Sequence, residues 1–156
     1  GYTIGTASTQ TGTITNDDLA PPPLVFTTQA DILTGTTGAD NFILNHLSDA
    51  LWSTTPDRMT NLQAGLDTID SPFSRTSAIK PKLLGAVQTL DAAGIGGLLT
   101  SKNLAKNGAA NFTFGSGSTI RTFLAINDAT QGFQVNTDSI IEITGYSGSL
   151  STLSIF

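Results

Sequence analysis

Cysteine is absent from the 156 residues and histidine occurs once, as His46. These scarcities exclude much site chemistry. Without thiols there is no disulfide framework, no thiolate nucleophile and no soft metal ligand. One imidazole and no cysteine cannot complete a zinc site. A Ser-His-Asp arrangement would have to use His46, and no G-x-S-x-G motif marks a serine for it. The segment Gly115-Ser-Gly-Ser118 is too short for a phosphate loop and lacks the closing Gly-Lys-Ser/Thr. Aromatics are sparse, so Trp52, Tyr146 and Phe73 read as core anchors or isolated surface rings rather than a ligand box. Long apolar runs are missing as well. The longest, Ala92 to Leu99, is too short and too glycine-broken to cross a bilayer. No cleavable signal opens the chain, so the expectation is an export signal that was removed, lies upstream or works differently.

Glutamate is nearly absent: eleven of the twelve acids are Asp, and Glu142 is the exception. Asp favours turns and caps over helix interiors, so this bias points to loops and oxygen-ligand sites. Basic residues are missing from both ends. Residues 1–57 hold six aspartates and no Lys or Arg, residues 58–121 hold all seven bases against three acids, and residues 122–156 hold three acids and no base. A dense basic face, which nucleic-acid binding requires, does not emerge from that distribution. Bound divalent cations would relieve the self-repulsion of the acidic segments; a plain solvated acidic surface is the simpler account.

Taken in order, residues 1–16 are rich in Thr and Ile and predict one or two extended strands without a nearby partner. Pro21-Pro22-Pro23 follows as a stiff linker, placed at 21–30. Leu24-Val-Phe26, Asp31-Ile-Leu33 and Asn41 to Leu44 read as short strands, and His46 to Trp52 as a helical turn or loop. Asp57 to Asp70 reads as two short strands around a turn at Ala64-Gly65. Leu83, Leu84, Val87 and Leu90 fall at helical spacing, which predicts a helix from near Lys80, with Pro81 in its first turn. A second helix is predicted over Asp91 to Leu104, capped by Asp91. Ala110 to Phe114 and Ile120 to Ile126 form a hairpin around Gly115–Ser118; Ser139 to Thr144 and Leu150 to Phe156 are further strands. The loop Asn127 to Asp138 carries oxygen-bearing side chains every few residues without the EF-hand pattern. It would either wrap a cation through Asn127, Asp128, Asp138 and carbonyls, or form a hydrogen-bonded turn without metal.

Asp31, Asp40 and Asp49 stand nine residues apart, each followed two places on by a large apolar residue, Leu33, Phe42 and Leu51; Gly35 and Gly38 lie between the first two. This resembles the calcium-binding nonapeptide repeat G-G-x-G-x-D-x-U-x, in which a glycine turn feeds a short strand and the aspartate offers a hard oxygen ligand. Only the copy from Gly35 to Phe42 keeps its glycines, and a lone repeat cannot bury its own apolar face. The Asp57–Asp70 segment resembles the D-x-I-x-x-F-x-x-G-x-D-x-I-D stretch after such repeats in serralysin-type domains, with Met59 and Leu62 as the departures. Gly-Thr-Ile-Thr-Asn-Asp at 12–17 is similar to the last strand of a Calx-beta domain. From about Thr34 to Phe156 the chain resembles the bluetail C-terminal domain of large cyanobacterial surface proteins. The resemblance is carried by Leu33 to Phe42, Asp57 to Asp70, Phe112-Thr-Phe-Gly115, Arg121 to Asp128 and Ile140 to Leu150. It implies a surface location, with C-terminal targeting for export as a further role, and no established catalysis.

The expected architecture is mainly β: a short β-roll or solenoid-like start, then antiparallel strands with a two-helix insertion. Residues 1–20 would be a remnant Calx-beta-like strand, 21–30 a linker, and 31–156 a β-rich capping or targeting domain. The metal candidates are Asp31, Asp40, Asp49, Asp67, Asp70, Asn127, Asp128 and Asp138, with calcium as the cofactor. The expected role is a non-catalytic module of a secreted, extracellular surface or filament protein, serving structure, adhesion or targeting. Expected partners are other copies or neighbouring domains of the same protein, joined by strand pairing, with no nucleic acid and no transmembrane segment. The alternative is a self-assembling filament or surface-layer subunit whose N-terminal strand pairs with a neighbouring chain. A hydrolase using Asp67 and Asp70 as acid and base is disfavoured, because paired structural carboxylates are far commoner.

Overall fold

A computed structural model describes residues 23–156, and the expected Calx-beta-like strand at 1–20 lies outside the described residues. Three short strands begin the fold: β1 (Leu24–Val25), β2 (Ile32–Thr34) and β3 (Asn41–Ile43). The sheet thus takes in part of the stretch expected as linker, and Phe26 is already buried. A 3₁₀ turn at Leu47–Ala50 leads to β4 (Arg58–Thr60), β5 (Gln63–Ala64) and β6 (Thr68–Asp70). Next come β7 (Lys82–Ala86), the single α-helix of the described residues, α1 (Ala92–Leu98), and then β8 (Ala109–Phe114), β9 (Arg121–Ile126) and β10 (Ser139–Glu142). β11 (Ser147–Gly148) and β12 (Ser154–Ile155) complete the order.

Two sheets carry the architecture. One is wholly parallel, in the order β1-β3-β6-β12; the other is mixed, in the order β2-β4-β10-β9-β8-β7. Early strands alternate between them. β1, β3 and β6 lie in the parallel sheet, while β2 and β4 pair in parallel within the mixed one. Asp57–Asp70 therefore makes three short strands in three sheets, because β5 pairs with β11 instead. The expected turn at Ala64-Gly65 is present, with Gly65 at φ +98°, a conformation open to glycine.

Alternation along β9 and β10 divides the core. Leu124, Ile126 and Ile141 join Phe42, Met59, Ile69 and Ile155 in a cluster drawn from both sheets. Phe123, Ala125 and Ile140 point the other way and pack with Phe112, Ile95 and Leu99 in a second cluster under α1. Successive strand residues face opposite sides, so β9 and β10 are buried on both.

The first expected helix is a strand. β7 runs parallel to β8, pairing Lys82 with Ala110 and Ala86 with Thr113 across an irregularity after Leu83. The apolar spacing suited a helix, but the unpaired edge of β8 offers ladder hydrogen bonds that local preference does not outweigh. Leu83 is left 57% exposed, the wrong place for a helix anchor. The second helix forms with Asp91 as its cap, the carboxylate accepting the Gly94 N–H at 2.7 Å. It stops early because the Leu99 and Leu104 carbonyls accept from Phe133 and Gly132 instead of continuing the helix. At Gly94 an added Cβ would lie 2.2 Å from the Thr89 carbonyl, so glycine is what lets the chain approach there. The two-helix insertion is thus corrected to one helix and an edge strand.

Candidate functional site

The aspartates singled out by their spacing are staples of tight turns. At Asp31 the carboxylate accepts the Thr27 backbone N–H at 2.6 Å and the Thr27 hydroxyl at 2.9 Å. Nine residues on, Asp40 accepts the Thr36 N–H at 2.6 Å and its hydroxyl. The same four-residue reach recurs from Asp67 to the Gln63 N–H and from Asp138 to the Gln134 N–H, both at 2.7 Å. Each carboxylate closes a loop whose backbone donors would otherwise lack partners.

A second set of bonds links one turn to another. The Asp31 N–H donates to Asp57 at 2.7 Å, and the Asp40 N–H donates to Asp67 at 3.0 Å. In the later loop the Asp128 N–H donates to Asp138 at 3.0 Å. Each inner carboxylate is buried: Asp57 5%, Asp67 1% and Asp138 0% exposed. Parallel pairing of β2 with β4, and of β3 with β6, brings the partners together. Asp57 was not among the sequence candidates. Its signal is a separation of 26 residues from Asp31, close to the 27 between Asp40 and Asp67.

The remaining candidates go elsewhere. Asp49 caps its 3₁₀ turn, accepting the His46 N–H at 2.9 Å. Asp128 accepts the Thr130 N–H at 2.6 Å. Asp70 is exposed at the end of β6, away from the staples. Asn127 is fully buried and donates from Nδ2 to the Ala105 and Thr130 carbonyls at 2.8 Å, while its Oδ1 has no hydrogen-bond partner among the described residues.

Calcium takes six to eight oxygen ligands with lone pairs converging on one point. Here the buried carboxylate oxygens accept backbone N–H donors. Among the described residues no three Asp, Glu, His or Cys gather closely enough to hold a metal ion. The carboxylates at these turns are used for hydrogen-bond closure.

Burial raises the pKa of Asp57, helped by the neighbouring Asp31 charge, although N–H bonds oppose the rise. Burial likewise raises Asp138. Glu142 behaves oppositely. Burial alone would raise it, but the hydrogen bonds from Arg121 at 2.6 Å and Thr144 at 2.8 Å, with the charges of Arg121 and Arg58, bring it below its ordinary value.

These shifts set a pH profile. A lowered folded pKa supplies stability above the unfolded value of 4.5, lost as pH falls through the folded value. A raised folded pKa favours the fold at the acidic side of its window, and that share is lost as pH rises through it. Urea midpoints should therefore lose the Asp57 and Asp138 share as pH rises above 3.8 through their raised values, and lose the Glu142 share as pH falls below 4.5. Glu142→Gln should flatten the acidic limb. An unchanged limb would remove Glu142 as its cause.

No protein-family model matches the chain, and no curated protein matches it.

Proposed function

We propose that this chain is a non-catalytic structural module of a secreted surface or filament protein, built from turns that aspartates close without a metal. The observation that carries the reading is the double use of carboxylates: Asp67 and Asp138 each hold their own loop and the N–H of another residue, and Asp57 holds the Asp31 N–H. Strands alternating between sheets support a short β-roll-like start that the mixed sheet covers. The resemblance of residues 34–156 to the bluetail domain supports surface location and targeting. A role without catalysis is supported by His46, whose side chain is 77% exposed and, among the described residues, pairs only with Asp49 at 3.5 Å. Asp67 and Asp70 do not cooperate either: one is buried on N–H donors and the other faces solvent.

The test is a thermal melt with excess calcium and with chelator. The metal-free reading expects midpoints within about 1 °C of each other, since a ligand that binds only the folded state must raise its stability. A rise of several degrees with calcium would restore a calcium-ordered module. Self-assembly by strand pairing is favoured by one observation. β2 is an edge strand, and Ile32 on it is 65% exposed. Oligomers that grow with concentration and vanish when residues 1–20 are deleted would make that reading the better one.

A further inference from the structure

Five of the seven basic residues, Arg75, Lys80, Lys82, Lys102 and Lys106, line one open groove of about 450 Å³ whose other lining residues are uncharged. The remaining two, Arg58 and Arg121, share Glu142. Among the described residues none of the five has a carboxylate within ion-pair distance. Neutral acceptors fix three of them. Lys80 Nζ donates to the Thr152 carbonyl and Ser154 hydroxyl at 2.7 Å, and Lys82 Nζ donates to the Lys102 carbonyl and Asn103 Oδ1 at 3.1 Å. Arg75 donates to the Asn107 carbonyl, while its buried Nε has no partner among the described residues.

Gathering like charges without counter-charge is unfavourable, most of all in a chain whose net charge of −5 offers carboxylates elsewhere. Carbonyls and hydroxyls hold the lysines without neutralising them, so the groove stays positive and pre-organised. We propose that it binds an acidic polysaccharide, through sulfate or carboxylate groups on the lysines and Arg75 and sugar hydroxyls on the Asn107 amide. Amides suit hydroxyls because they both donate and accept. A groove of this volume takes a short stretch of sugar chain. Nucleic acid fits less well. No aromatic ring lines the groove for base stacking, and acids on the flanking segments repel a continuous phosphate backbone.

Binding of the chain to immobilised dextran sulfate and polygalacturonate, at about 0.1 M salt where distant charges are screened, tests it. Neutral dextran and duplex DNA serve as comparisons. At least one acidic glycan should bind while neutral dextran does not. K102Q/K106Q should weaken that binding by about ten-fold, the loss expected for removing charge-assisted contacts. Neither lysine side chain forms a hydrogen bond among the described residues, so the fold should survive, with circular dichroism as the check. K80Q/K82Q should act in the same direction. Gln29→Glu with Thr54→Glu changes the net charge equally but away from the groove, and should change affinity by less than about two-fold. Failure to bind either acidic glycan would overturn the proposal. So would equal weakening by the remote pair, or tighter binding to DNA.

Discussion

Phe123→Ala is expected to lower the unfolding free energy by about 3–5 kcal/mol, the range for removing a fully buried aromatic ring. Phe123 has no exposed surface and sits in the interior of the mixed sheet, paired with Phe112 on β8 and Glu142 on β10. Its ring stacks on Phe112 with centroids 5.2 Å apart, meets Trp52 edge-on at 6.3 Å, and lies 5.0 Å from the Arg121 guanidinium carbon. Alanine would strip these contacts while the strands on either side hold the backbone apart, so the cavity cannot close. Arg121 would also lose the ring beneath it while still bridging to Glu142. Urea unfolding measures the change, with Leu83→Ala on the exposed edge as a control expected within about 0.5 kcal/mol of wild type. A loss below about 1.5 kcal/mol for Phe123→Ala would mean that the second core cluster is not a packed unit.

Asp67→Ala should cost about 3 kcal/mol, because each buried donor left without a partner costs roughly 1–3 kcal/mol. One carboxylate oxygen accepts the Asp40 N–H and the other the Gln63 N–H, and the side chain is 1% exposed. Alanine fills none of that need. Asp67→Asn keeps one acceptor and should cost about half as much. Asp70→Ala, on an exposed carboxylate three residues on, should change stability by less than about 0.5 kcal/mol. Hydrogen exchange adds a local readout, since the amides of Asp40 and Gln63 should lose protection ahead of the sheet as a whole. Equal stability of the Asp67 and Asp70 variants would sink the staple.

The central strands were legible because their sequences admit one reading. In β9 and β10, β-branched and aromatic residues run through the stretch, and burial on both faces tolerates their unbroken hydrophobicity. Asp91 was legible too, because a cap is local chemistry. β7 was not. Leu83, Leu84, Val87 and Leu90 satisfy a helical period, and only the open edge of β8, more than twenty residues later, decides for strand. The aspartates divide in the same way. Their nine-residue spacing can be read from the chain, but the use of their lone pairs cannot. That depends on which turns stack, and so on the pairing of β2 with β4 and β3 with β6. Segregation of the bases into 58–121 was visible, whereas their convergence on one groove follows from laying β7 against β8 beside the turn after α1.

The position of β12 has a kinetic consequence. It adds to the parallel sheet beside β6, pairing Ser154 with Thr68 and Ile155 with Ile69. The Ser71 N–H then donates to the Phe156 carbonyl at 2.8 Å, and Ile79 and Ile155 exchange backbone bonds. These contacts join stretches some 85 residues apart and bury Ile155 completely. Non-local parallel pairing forms late, because the entropy of closing so long a loop is lost before any contact compensates for it. In refolding, the parallel sheet therefore lacks its fourth strand, and Ile69 its neighbour Ile155, until this late pairing forms. Until β12 docks, β6 is an open edge of the parallel sheet, and docking is what pairs that edge and buries Ile155.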